Sequence, residues 1–561
     1  MIRSRTVRLV PILFALSLPL LSATQSRAQP AGEGGTGGEP ARPDGGGGAG
    51  GEGASPPAGG GGEAAGGQGG SAGGEPAPAK PEEDKKPAKK TKGETVTGGG
   101  PPSPNEAPPP EEKKEQEHKG SFEFGAYGRV VAAADGEGGP GRDADIVAHG
   151  SRMDEDNYAE IELRREDDWA ITGIHTNVVA TLAIASPVFH YNGNFELNAA
   201  IRNLYLEARD IGVPGLSAWA GSRMVCGDDL YLLDWWPLDN LNLMGAGVGY
   251  KHEVGTSAQL VVGATQPDTI LFKQTVERPA PLDQFGAVSS PLLDRQKLIG
   301  ALKISHNQRF GPKDKPSPGI KAVLYGEGHA LPDGEREVKP GAELEQLPSD
   351  GGFVVGGQFT AYTGHRDTFI HLFARYASGL AAYGQFTSPG QLNADKTTDG
   401  AHEVVVAAGG NAEIDFFGVM LGAYVRSFRD ASPSLNYEDV DEGVVVLRPS
   451  FFFGEIAGVS LEGTFQMAQR GVIYQDPNVT DEAPTGPALA SVFRIGIIPF
   501  ISPAGRGDFS RPHIRLLYNL SVRDDTARLL YPESHPLRDR EIEHFIGLGA
   551  EWWFNSSSYG F

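Results

Sequence analysis

One short stretch of the sequence combines carboxylates and aromatic rings at a density that is rare in a soluble core. Residues Ala218–Trp236 read AWAGSRMVCGDDLYLLDWW and hold three aspartates, two adjacent tryptophans and the only cysteine of the chain. Carboxylates need water or polar partners, whereas indole rings favour apolar contacts. The stretch is therefore expected to face water on one side and an apolar surface on the other.

No catalytic motif accompanies this cluster. The sequence has no HExxH motif, no phosphate-binding loop and no nucleophile elbow, and no spacing supports a Ser/His/acid triad. A single cysteine, Cys226, excludes an internal disulfide and a cysteine-rich metal site. A net charge of -23 argues against a nucleic-acid partner. We expect a protein that is not an enzyme and that needs no metal or cofactor.

The chain begins with a predicted signal peptide over residues 1–28. Three arginines precede an apolar run from about Leu9 to Leu21, and small residues lead to a cleavage site after Ala28. The alternative, a permanent membrane anchor, would need a longer apolar run. The protein is therefore expected to be exported.

Residues 29–119 form a Gly/Pro/Ala-rich segment with charged patches, and much of the chain's excess of glycine lies here. This segment has too little aliphatic surface to offset the entropy of ordering it. It predicts a disordered tether. The alternative hypothesis is that the lysines at positions 85, 86, 89 and 90 contact an acidic polymer or surface.

Residues 120–561 repeat short segments in which apolar and polar side chains alternate, with Gly, Pro, Asp and Asn between them. In LEGTFQMAQR one face carries Leu461, Phe465 and Met467, and the other carries Glu462 and Gln466. HIRLLYNLSV, near the end of the chain, alternates in the same way. This period of two is typical of β-strands.

A β-sandwich would also alternate, but export, segments of about ten residues and aromatic residues at the segment ends favour a barrel in a membrane. At about 24 residues per strand and connection, residues 120–561 give about 18 strands. The predicted fold is all-β: a transmembrane antiparallel β-barrel that follows the disordered tether. Because a bilayer leaves no water for an open sheet edge, the barrel must be closed, and its polar residues then line a lumen.

Several blocks of this region, taken together, resemble the maltoporin family of sugar-specific outer-membrane porins. In the order of that family they read FEFGAYGRV, DNYAEIEL, AWAGSRMVCGDDLYLLDWW, MGAGVGY, GDFSRPHIRLLYNL and FIGLGAEWWF. The resemblance implies an 18-stranded trimeric barrel. It also implies an aromatic slide, which is a series of rings along the lumen, with charged residues beside it that hydrogen-bond sugar hydroxyls. A pyranose ring suits such a path because its faces stack on aromatic planes and its hydroxyls need donors and acceptors.

The resemblance assigns roles to particular positions. Those matching the aromatic slide are Tyr127, Tyr158, Phe509 and Trp553, with a phenylalanine at 509 where the family has tryptophan. Those matching the charged residues are Arg129, Arg152, Glu160, Arg202, Asp229 and Asp234, and Trp236 matches the tyrosine that narrows the pore. Gly227 departs from the family, which has an arginine there. For each ring the alternative is an interfacial or packing residue, and for Asp229 and Asp234 it is a solvated turn.

Alternation adds two expectations about orientation. Trp553 shares a face with Glu551 and should point into the lumen, whereas Trp552 and Phe554 should point to lipid. Asp234 and Trp236 should likewise share one face of a strand, with Trp235 facing lipid.

The sequence therefore predicts an outer-membrane channel for facilitated diffusion of oligosaccharides, with its tether in the periplasm. Its expected partners are the sugar, outer-membrane lipid, two further copies in a homotrimer, and the barrel-assembly machinery during biogenesis. The sequence leaves two alternatives open. One is a general or ion-selective porin without sugar affinity. The other is a structural envelope protein tethered through residues 29–119.

Overall fold

The architecture comes from a computed structural model of the chain. It describes residues 119–556 apart from 186–188, 191–192, 194, 196, 283–284, 313–314, 391, 433–438, 471–487 and 533. The predicted signal peptide and nearly all of the tether lie outside the described residues.

Eighteen strands form one antiparallel sheet. They are β1 (Lys119–Ala134), β2 (Tyr158–Trp169), β3 (Ile174–Ala185), β4 (Asn198–Arg209), β5 (Leu216–Cys226), β6 (Asn240–Lys251), β7 (Thr256–Thr265), β10 (Lys297–Arg309), β11 (Gly319–Leu331), β14 (Asp350–Tyr362), β15 (Phe369–Gly379), β16 (His402–Ile414), β17 (Phe417–Arg429), β18 (Val440–Phe453), β19 (Ala457–Arg470), β20 (Ala488–Ile501), β21 (His513–Arg523) and β22 (Ile542–Phe554).

Four further strands form two separate hairpins. The first, β8 (Lys273–Pro279) with β9 (Ala287–Asp294), lies in the connection between β7 and β10. The second, β12 (Gly334–Glu337) with β13 (Leu344–Leu347), lies between β11 and β14.

Helical structure within the described residues is confined to single turns. These are the α-helix α1 (Asp525–Leu529) and 3-10 turns at Tyr231–Leu233, Leu380–Tyr383 and Pro536–Arg538. None of the described helices has the length and apolar character that a membrane-crossing helix needs.

The sheet closes on itself, because each of the eighteen strands pairs with its neighbour in the chain and β1 also pairs with β22. The closing register places Tyr127 opposite Trp553. Closure satisfies the backbone hydrogen bonds of both edges, as a strand wall in lipid requires. The predicted closed barrel of about 18 strands is confirmed.

Side chains alternate across the wall as the sequence pattern predicts. On β19, Glu462, Thr464 and Gln466 are buried in the lumen, whereas Leu461 and Phe465 are exposed on the outer surface. The same alternation runs along β21. An outer face of Leu, Ile, Val and Phe needs an apolar surrounding, so this wall is built for a bilayer.

The two ends of the barrel differ in their connections. Most connections at one end, hereafter the short-turn end, are brief, as between β2 and β3 or between β16 and β17. The connections at the opposite, long-loop end include both hairpins. Connections that reach into the lumen within the described residues include the first inner loop (residues 135–157) and the second inner loop (residues 227–239), from the long-loop end, and the inner turn (residues 502–512), from the short-turn end. These three segments build the site.

Candidate functional site

The second inner loop folds inward because its apolar residues find partners on the wall. A backbone bridge joins Leu230 to Trp235 around the 3-10 turn, and Asp234 adopts a left-handed conformation with φ 45°. Leu230 packs against Gly409 of β16 so closely that a Cβ there would lie 2.3 Å from its side chain. The glycine therefore makes room for the loop.

The prediction that Asp234 and Trp236 lie on one face of a strand, with Trp235 facing lipid, is wrong. Trp235 and Trp236 both lie inside the barrel, with only 7% and 8% of their surfaces exposed. Trp235 stacks on His149 with ring centroids 4.3 Å apart, and lies 5.0 Å from the ring of Tyr424. Strand β5 ends at Cys226, and the turn that follows breaks the period of two on which the prediction depended. Trp235 therefore fixes the loop within the lumen instead of contacting lipid.

Aromatic rings line the lumen from one end towards the other. Tyr158, where β2 begins at the long-loop end, lies 6.0 Å from Tyr127. Towards the short-turn end, Tyr231 of the second inner loop lies 6.0 Å from Trp553 and 5.4 Å from Phe509. All four residues predicted for the aromatic slide therefore lie in this series of rings.

A further ring extends this series, and an arginine joins its two groups of rings. The ring of Phe369, where β15 begins, lies 6.0 Å from Phe509. The Arg152 guanidinium lies 4.4 Å above the Tyr231 ring and donates a hydrogen bond to the Tyr127 hydroxyl, which joins the two groups of rings. Phe369 could have been found from the sequence, because rings recur at every second position at the start of β15.

Predicted charged residues form two groups beside the rings. At the long-loop side, Arg202 pairs with Glu160 and donates a 2.7 Å hydrogen bond to the Tyr158 hydroxyl. Deeper in the lumen, Arg129 contacts Asp234 at 3.3 Å. Arg129 also pairs with Glu155 of the first inner loop, which was not predicted from the sequence.

A fully buried carboxylate, Glu551 of β22, ties all three inner segments together. Arg152 of the first inner loop approaches it at 3.1 Å, and the Tyr231 hydroxyl of the second inner loop donates to it at 2.9 Å. Arg511 of the inner turn and Arg515 of β21 lie at 2.9 and 3.2 Å. Glu551 therefore fixes the relative positions of the segments that narrow the lumen.

A cavity of about 240 Å³ opens between the second inner loop, the wall and the inner turn. Its lining combines carboxylates with rings and includes Asp228, Asp229, Tyr231, Trp236, Phe369, His371 and Phe509. Asp229, Trp236 and Phe509 were predicted site residues, and the structure brings them together here. Asp228, to which the resemblance assigns no role, holds the loop to the wall through Lys321 of β11 at 2.8 Å.

Several acids of the inner segments have pKa values near neutrality, and burial raises those of Asp143 and Asp508 to about 6. Burial raises the pKa of Asp229 to about 6. Burial, with help from the negative charge of Asp234, raises the pKa of Glu155 to about 7. The charge of the narrow part of the lumen therefore changes between pH 5 and 8.

A closed 18-stranded barrel whose lumen is narrowed by inward loops is a porin. The chain belongs to the LamB porin family, whose model matches residues 122–554. The resemblance to maltoporins is thereby confirmed. The protein is an outer-membrane channel of bacteria, and proteins of this class conduct solutes by diffusion.

Comparison with solved structures finds other porins at low similarity. OccK1 (OpdK) of Pseudomonas aeruginosa is 11% identical over 78% of this chain and 98% of its own, with a TM-score of 0.34. OmpT of Vibrio cholerae, described as a trimer form, is 11% identical over 78% of this chain and 99% of its own, with a TM-score of 0.36. No curated protein sequence matches the chain.

Proposed function

We propose that the protein conducts oligosaccharides across the outer membrane by facilitated diffusion along its luminal rings. The observation that carries the proposal is the ring series from Tyr158 to Phe369, with carboxylates and guanidinium groups beside it. Each ring offers a stacking surface for a pyranose, and the charged groups offer hydrogen bonds to hydroxyls. A path of several weak sites lets a sugar load and still leave.

Single-channel current in a planar bilayer tests the proposal while malto-oligosaccharides and other neutral oligosaccharides are titrated. The expected result is a saturable block that strengthens with chain length, because a longer sugar covers more rings. An open current that no sugar reduces would instead identify a general or ion-selective porin on the same scaffold.

Two adjacent tryptophans provide a matched pair of variants. Trp553 contacts Tyr231 in the lumen, whereas Trp552 lies on the outer face over Gly128. Trp553→Ala should weaken sugar block about two- to tenfold, since an aromatic contact contributes about 0.5–1.5 kcal/mol. Trp552→Ala should leave the block unchanged. Equal effects of the two changes would contradict a luminal slide.

We further propose a homotrimer with the tether in the periplasm and the signal peptide removed after Ala28. Support for the orientation comes from Lys119, where the described chain begins at the short-turn end, because short turns of outer-membrane barrels face the periplasm. The trimer rests on family membership, and the mass of the detergent-solubilised protein tests it. Deleting residues 29–107 should leave sugar flux intact, whereas loss of envelope integrity would support a structural role for the tether.

A further inference from the structure

The cavity beside the second inner loop is lined by a carboxylate that makes no ion pair with any described residue. Its lining residues, all within the described part of the chain, include Asp228 and Asp229 but no lysine or arginine. Asp228 is already paired, because Lys321 lies 2.8 Å from its carboxylate. Asp229 makes no ion pair within the described residues, and the charge of Arg152 acts on it only from beyond ion-pair distance. One carboxylate therefore remains available to a solute.

A glycine of the cavity lining has little space around it. Gly227 begins the cavity lining, and a Cβ at that position would lie 2.3 Å from the carboxylate of Asp239. Asp239 is in turn fixed by an ion pair with Lys303 of β10. A longer side chain, including a basic one, therefore has no room at position 227 unless Asp239 moves.

Rings surround the same space. Tyr231 and Trp236 come from the second inner loop, Phe509 from the inner turn and Phe369 from the wall. Aromatic faces stack on pyranose rings, and they also attract organic cations. A carboxylate among such faces binds a protonated amine more strongly than it binds a hydroxyl, because the hydrogen bond then joins two opposite charges.

We propose that this cavity selects amino sugars, with Asp229 binding the ammonium group while the sugar ring stacks on the surrounding aromatic faces. The inference rests on the proposed saccharide channel and names the class of saccharide that the channel prefers. Neutral oligosaccharides of the same length still pass, but they lack the charged contact and bind more weakly.

Single-channel block by three trisaccharides at pH 7 tests the inference: the glucosamine trimer, its fully N-acetylated form and maltotriose. The wild-type channel should be half-blocked by the glucosamine trimer at a concentration about tenfold or more below that needed for either neutral sugar, as expected for a charge-assisted hydrogen bond. Asp229→Asn has nearly the same shape and should bring the three concentrations within about twofold of one another.

Asp268→Asn is the matched control, since Asp268 lies 88% exposed at its side chain in the connection after β7, outside the cavity. It removes one negative charge and should keep the full preference. Equal block by all three sugars in the wild-type channel would overturn the inference and leave the saccharide channel standing. An equal loss of preference in both variants would also overturn it, because a general field would then explain the selection. Failure of every saccharide to block would refute the proposed function itself.

Discussion

Replacing Glu551 by glutamine should release the segments that narrow the pore. This carboxylate has no exposed surface and accepts contacts from four donors, namely Arg152, Arg511, Arg515 and the hydroxyl of Tyr231. Three of these donors belong to the inner loops and the inner turn. A glutamine offers one acceptor oxygen, and its amide group would point a donor at a guanidinium.

The free energy lost in Glu551→Gln follows from these contacts. At least one charge-assisted hydrogen bond is lost, and three clustered guanidinium groups remain around a neutral side chain. Breaking a buried ion pair by removing one partner costs about 3–5 kcal/mol. If this whole free energy is lost from the state in which the loops are bound to Glu551, the ratio of bound to detached loops falls by a factor of about 10² to 10³·⁵. A detached arrangement that is rare in the wild-type channel would then become populated.

Single-channel recording should show the change directly. Glu551→Gln should flicker between conductance levels where the wild-type current is steady. Glu403→Gln is the control, since Glu403 is buried in the lumen and pairs with Arg375 and Arg426, which all lie on wall strands. The backbone ladder holds those strands together. A steady Glu551→Gln current, or equal flicker in the control, would refute the anchoring role.

Further predictions concern the rings and the acids of the second inner loop. Trp236→Ala should raise conductance, and an unchanged conductance would place Trp236 outside the narrow part of the pore. Tyr231→Ala should weaken sugar block about two- to tenfold in the same titrations, whereas Tyr231→Phe keeps the ring and should weaken it less. Lowering the pH from 8 to 5 should reduce cation selectivity, measured as a reversal potential, because Glu155 and Asp229 gain protons near pH 7 and 6. Replacing these two acids by Gln and Asn should reduce the pH dependence, and the part that remains is expected from Asp143 and Asp508, whose pKa values are also raised to about 6.

The barrel could be predicted from the sequence because each strand repeats one local rule. Alternation places Glu462 inside and Leu461 outside whatever the rest of the chain does, and the bilayer then demands closure. The positions of Tyr127 and Trp553 follow from the same rule, since both lie on strands, and the register brings them opposite each other.

The inner loops could not be predicted in this way. The fate of Trp235 depends on His149 and Tyr424, which are far from it in the sequence and meet it only in the folded lumen. The same holds for Tyr231, whose partners come from the inner turn and β22. Local pattern fixes which face a strand residue occupies, but it says nothing about where a loop enters a lumen.

A polar anchor suits this lumen better than an apolar plug would. Apolar residues of similar volume would often give equal or greater stability than a buried ion pair, so stability alone does not explain Glu551 and its arginines. An apolar contact is non-directional, whereas four donors that converge on two oxygens fix the three segments at set positions. A channel that moves hydrated solutes between rings and carboxylates needs that fixed geometry, because a shift of about one ångström would separate the rings from the hydrogen-bonding groups beside them.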